Sequence, residues 1–181
     1  MELALHPAVT LRPGTFAVVV APPEAVLRVL NTNEDLQRFL FLYVCGNMSR
    51  LLSGIRCRSP SFQVRRSFTV FQLLTILEEA HHTVIFVEHD PGLYEDARQM
   101  PGEVAMALSQ AARTALVILY TPEPDPTLDA LSQRADRILF LPGIATAGPH
   151  RGAAGRGAAR TPLAASQTTL EGFARDGASR A

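Results

Sequence analysis

Apolar residues in this chain gather into short dense runs, separated by segments in which they recur every three or four positions. Phe16–Val20 is one such run, introduced by the turn Arg12-Pro13-Gly14. A continuous apolar run bounded by turn-formers predicts a strand buried on both faces. Val84–Val87, inside the stretch His82–Asp90, predicts a second strand, Ala115–Tyr120 a third and Arg137–Leu141 a fourth. Between them the period is helical. Ala25–Leu30 follows Pro22-Pro23-Glu24, with proline and an acid in the first turn. Leu36, Phe39, Leu40 and Tyr43 predict a helix starting near Glu34, with Met48–Leu52 continuing beyond Gly46-Asn47 and ending near Gly54. Phe71, Leu73, Leu74, Ile76 and Leu77 predict a helix within Phe68–Ala80, and Val104–Arg113 and Thr127–Arg134 predict two more. Strands alternating with helices predict an α/β fold, a parallel sheet with flanking helices.

The pattern stops at Pro142. Residues 143–165 are rich in Gly, Ala, Pro and Arg without sustained periodicity, and such a segment buries too little apolar surface to offset its chain entropy. The expected organisation is an α/β domain over 1–142, a disordered linker over 143–165, a short peptide over 166–174 and a disordered end over 175–181.

Composition narrows the chemistry. The formal net charge is zero, and all 17 basic residues are arginine. A chain without lysine forms no Schiff base through its own lysine and places no P-loop lysine on a phosphate. Cys45 and Cys57 are too few and too far apart for a zinc module. The start Met1–Pro7 lacks the basic and apolar parts of a signal peptide, and Phe39–Cys45 is well short of a membrane span. A soluble protein of the reducing cytoplasm is expected, without a membrane partner.

Glu88 and Asp90 follow the strand at Val84, and in open α/β sheets ligands bind beyond the carboxyl ends of strands. Carboxylates fixed there suit a hard cation such as Mg²⁺. They also suit capping of the next turn or pairing with an arginine, and both readings stay open. His81 and His82 lie about 20 Å from His89 along a straight strand, so they do not share an ion with it. Arg56, Arg58, Arg65 and Arg66 crowd one loop region, and with Arg151, Arg156 and Arg160 they are candidates for contact with DNA; a merely solvated loop is the alternative.

The block from His82 to Leu141 resembles the second half of a RecA-like or ABC-type P-loop ATPase core. An apolar strand ends in acids, and the later segment Ala135-Asp136-Arg137-Ile138-Leu139-Phe140 matches the family's Ala-Asp-Arg-apolar element. The resemblance implies a three-layer P-loop fold and sets Glu88 and Asp90 where Mg²⁺-water coordination or polarisation of the attacking water takes place. The departure is after Phe16–Val20, where Ala21-Pro22-Pro23-Glu24-Ala25-Val26 stands in place of a P-loop. It has no glycine, no lysine and no following Ser or Thr. Prolines supply no backbone donors, and Glu24 repels phosphates. A P-loop-like core without nucleotide hydrolysis, and hence without a cofactor, is expected; a divergent Mg²⁺-dependent ATPase or nuclease using Glu88 and Asp90 is the alternative.

Gln167-Thr168-Thr169-Leu170-Glu171-Gly172-Phe173 resembles the PIP box, the peptide by which replication and repair proteins bind the sliding clamp PCNA. Gln167, Leu170 and Phe173 match the family's glutamine, aliphatic and first aromatic positions. Ala174 stands where many members carry a second aromatic. The position near the terminus is that of archaeal PCNA partners. The resemblance implies a nucleoid-associated interaction protein of DNA replication or repair, tethered to PCNA by its tail, with DNA or another replication protein at its core.

Overall fold

The computed structural model describes residues 3–6, 9–33, 36, 38–57 and 59–141. Six strands form one sheet, all parallel: β3 (Thr15–Val20), β4 (Phe41–Cys45), β5 (Phe62–Arg66), β6 (Val84–Glu88), β7 (Leu116–Thr121) and β8 (Arg137–Phe140), preceded by a small antiparallel ribbon of β1 (Leu3–His6) and β2 (Val9–Leu11). The order across the large sheet is β5-β4-β6-β7-β3-β8. Among the described residues four α-helices lie between them: α1 (Pro23–Thr32), α2 (Val70–Glu78), α3 (Pro101–Ala112) and α4 (Pro126–Ser132).

The layers follow from the direction of each crossover. From β3 the chain travels toward the β5 edge, whereas β5→β6, β6→β7 and β7→β8 travel toward β8. Right-handed crossovers running in opposite directions put their connections on opposite faces. Accordingly α2, α3 and α4 pack on Phe16, Val18, Val20, Leu42, Val44, Ile85, Val87, Val117 and Leu119. The other face, Ala17, Val19, Phe41, Tyr43, Phe86, Ile118 and Tyr120, is covered by α1, the β1–β2 residues Leu3 and Leu11, and Leu51. Every residue of β4, β6 and β7 is buried, as continuous apolar strands of a doubly covered parallel sheet require.

Two local contacts fix the sheet's lower rim. Gly14 adopts φ 79°, a left-handed conformation that suits glycine, and its N–H reaches Ala115 O at 2.9 Å. Asp136 clamps Phe16 from both sides: its Oδ2 accepts from Phe16 N–H at 2.7 Å, and its own N–H donates to Phe16 O at 2.8 Å. The acid of the Ala-Asp-Arg segment therefore joins the starts of β3 and β8.

The four strands expected from apolar runs are present. The helix expected through Tyr43 is instead strand β4, Phe41–Cys45, followed by a short 3₁₀ turn at Leu52–Gly54 rather than helix at Met48. Phe39–Cys45 is apolar throughout, so it satisfies helical spacing without requiring it; burial on both faces decides for a strand. Strand β5 falls where a basic loop was expected, and the β1–β2 ribbon was not foreseen. Residues 142–181, with the linker and the clamp-like peptide, lie outside the described residues.

Candidate functional site

The carboxyl end of β6 brings Glu88, His89 and Asp90 to the rim of the sheet. There β4 connects toward one edge and β6 toward the other, which makes the gap between them a place where a doubly wound sheet can open a crevice. In this chain the segment after β4 turns into that gap. Tyr43 Oη and Ser49 Oγ each lie 2.5 Å from Glu88 Oε2, and Arg50 N–H donates to Oε1 at 2.7 Å. Ser49 Oγ also accepts from Leu52 N–H at 2.9 Å, so one hydroxyl starts the 3₁₀ turn and holds the carboxylate. Glu88 is 5 % exposed. A buried carboxylate with three donors has its charge compensated internally.

Alternation sends the next side chain to the opposite face. His89 Nε2 meets Asp125 Oδ2 at 2.7 Å, while Asp125 Oδ1 caps α4 through Leu128 N–H at 2.9 Å. The His89 side chain is 1 % exposed, with the Tyr94 ring 6.0 Å away. Asp90 turns back again. Its Oδ1 accepts from Gly92 N–H at 3.0 Å, opening the 3₁₀ turn Pro91–Tyr94, and its carboxylate packs on Gly46 so closely that a Cβ there would lie 2.0 Å from Oδ2. Three consecutive polar side chains thus serve the 46–52 segment, α4 and the following turn, and do not converge. Among the described residues no group of three or more His, Cys, Asp or Glu side chains is placed to hold a metal ion.

Burial and the Glu88 charge shape the neighbouring phenols. Tyr43 is raised far above the ordinary tyrosine range, first by burial and then by its bond to Glu88. Tyr120 is pushed up to about 12, again chiefly by burial and then by Glu88, and its buried Oη has no hydrogen-bond partner among the described residues. Burial likewise raises Cys45, with Arg66 opposing.

The end of β3 runs into α1 through a proline connector in place of a glycine-rich loop. Ala21 N–H is bonded to Thr121 O at 3.2 Å, and α1 begins at Pro23 with no side-chain cap. Ala25 and Val26 N–H both turn to Pro22 O. The connector offers no converging donors, and exposed Glu24 stands in the first helical turn.

The arginines separate. Arg56 is held through its backbone N–H by Asn31 Oδ1 at the end of α1. Arg65 pairs with Glu79 at 2.9 Å, and Arg66 Nη1 donates to Asn47 O at 2.7 Å, both from edge strand β5. Arg58, Gln167, Leu170 and Phe173 lie outside the described residues. Sequence inspection missed Tyr43, Ser49 and Asp125 as partners of the strand end. Only Asp125 carried a local signal, an N-capping acid directly before Pro126.

No protein-family model matches the chain. It is similar to an uncharacterized protein of Archaeoglobus fulgidus, 41 % identical over 129 residues, which cover 71 % of this chain and 65 % of that protein. The match therefore spans less than two thirds of the relative's length. No helix among the described residues is long and apolar enough to cross a membrane.

Proposed function

We propose that this is a non-enzymatic interaction protein of DNA replication or repair, in which a P-loop-like core without nucleotide hydrolysis is tethered to PCNA by Gln167, Leu170 and Phe173. The observation that carries the non-enzymatic part is the engagement of Glu88 by Tyr43, Ser49 and Arg50 N–H. A carboxylate that coordinates Mg²⁺-water or polarises a nucleophile needs a free oxygen directed at substrate. The proline connector after β3 supports the same reading, since it offers phosphates no cradle.

The clamp-binding part rests on the tail's resemblance to the PIP box, and the archaeal relative agrees with its archaeal character. Residues three apart share one side of a 3₁₀ turn, so such a turn formed on the clamp would present Leu170 and Phe173 to a single apolar pocket. Tethering then raises the core's effective concentration near DNA. Calorimetric titration of the full chain into an archaeal PCNA tests the reading. Wild type should bind and Leu170→Ala/Phe173→Ala should not; equal binding by both, or none by either, refutes it. Mg²⁺-dependent ATP or DNA hydrolysis abolished by Asp90→Asn would refute the non-enzymatic part.

A further inference from the structure

The edge strand β5 differs from the strands behind it. Phe41 N–H donates to Ser61 O at 3.0 Å and Ser67 N–H to Cys45 O at 2.9 Å, so Ser61 and Ser67 turn peptide groups toward β4. Alternation along a parallel ladder points the peptide groups of Val64 and Arg66 away from the sheet. Among the described residues β5 pairs with β4 alone. Next to this open edge a groove of about 500 Å³ runs between β5 and α2, lined by Arg65, Arg66, Phe68, Phe71, Gln72 and Ile76. Phe68 is 58 % and Phe71 66 % exposed. Natural edges are usually blunted or covered, and exposed aromatic side chains beside one mark an interaction site.

We propose that β5 and α2 dock an extended peptide segment of a partner protein, which adds to β5 as a seventh strand. Its backbone pairs with Val64 and Arg66. Side chains two apart share one face of a strand, so a large apolar residue rests on Phe68 and Phe71 while a carboxylate two positions away meets Arg65 on the α2 face. Charge complementarity selects the acid. Arg66, the next residue along the strand, projects to the opposite face, where its Nη1 donates to Asn47 O. Arg65 is paired with Glu79 in a solvent-accessible contact, the two side chains being 35 % and 57 % exposed, and such a screened pair exchanges readily for a partner's carboxylate. Exposed Glu78 and Glu79 at the C-terminal end of α2 disfavour a polyanionic nucleic acid, whereas a single carboxylate can take the place of Glu79 on Arg65. This site gives the core a partner of its own and does not depend on the clamp reading.

The test is selection of a displayed library of random heptapeptides on the full chain, followed by NMR hydrogen exchange with the selected peptide. Enriched sequences should carry an apolar residue and an acid two positions apart. The peptide should protect the Val64 and Arg66 amides and leave Gln63 and Arg65 unchanged. Phe71→Ala, at an exposed position, should weaken binding by roughly tenfold or more. Arg65→Glu should weaken the acidic peptides selectively, and Val64→Pro, which removes only an outward donor, should abolish strand addition. No enrichment, protection elsewhere, or indifference to Phe71→Ala overturns the proposal. Tighter binding of an oligothymidylate, a dimer abolished by Val64→Pro, or capture of the chain's own 166–174 segment in this groove overturns it in favour of another occupant.

Discussion

Tyr43 Oη and Glu88 Oε2 lie 2.5 Å apart, linking neighbouring strands β4 and β6 at the rim of the sheet. The bond is charge-assisted and buried, and the Tyr43 ring is fixed in turn by stacking on Phe86 at 5.4 Å. Tyr43→Phe removes this bond and leaves Ser49 and Arg50 N–H on the carboxylate. A loss of about 1.5–3 kcal/mol is expected, measured by urea unfolding at neutral pH. Glu88→Ala removes the acceptor shared by Tyr43, Ser49 and Arg50 N–H, leaving the two hydroxyls only each other at 3.1 Å, and should destabilise by more than Tyr43→Phe. A Glu88→Ala protein as stable as wild type would refute a positioning role for Glu88.

Gly46 and Asp90 form a second dependence. A methyl at 46 meets Asp90 Oδ2 at 2.0 Å and its Cγ at 2.8 Å, so Gly46→Ala should displace the carboxylate that opens the turn at Pro91 and cost about 1–3 kcal/mol. In Gly46→Ala/Asp90→Ala the obstructing oxygens are gone. The double variant should therefore be less destabilised than the two single effects added together, a coupling that a thermodynamic cycle measures.

Asp125 serves His89 with one oxygen and the α4 N-terminus with the other. Asp125→Ala removes both, and a loss of roughly 2 kcal/mol or more is expected from the missing cap together with an unpartnered buried imidazole. Asp125→Asn keeps an oxygen for Leu128 N–H and should lose clearly less. Thermal unfolding of the two variants orders them; an Asp125→Asn protein as stable as wild type would show that His89 gains nothing from the carboxylate, and equal losses in both would show that the cap contributes nothing.

What was legible in the sequence follows the physics of each element. The runs at Phe16, Val84, Leu116 and Ile138 stand between helical segments and turn-formers, so their strands were visible. Strand β4 was hidden because an all-apolar run carries no period of its own. β5 was hidden because Arg56–Ser61 reads as loop and the edge position allows Gln63 and Arg65 to face solvent. Glu88 and Asp90 were visible as acids at a strand end. Their employment was not, because the partners Tyr43, Ser49 and Gly46 are distant in sequence, and a shared rim exists only once the sheet order is known.

The chain's three tyrosines, Tyr43, Tyr94 and Tyr120, are all buried, and burial raises each of them, Tyr120 to about 12. An unfolded tyrosine ionises near 10. The folded state therefore holds its phenolic protons at a pH where the unfolded state releases them. The stability this contributes is fully present below pH 10 and falls as pH rises through the folded values. Absorbance of phenolate should stay low in the native protein through about pH 10, then rise together with loss of circular dichroism in one transition. Tyr120→Phe removes the group whose buried Oη lacks a partner among the described residues, so it should shift that transition to higher pH and leave neutral-pH stability unchanged or raised, since no hydrogen bond among them is lost. Phenolate appearing in steps near pH 10 while the circular dichroism stays native would show that the phenols are in contact with solvent and would overturn the expectation.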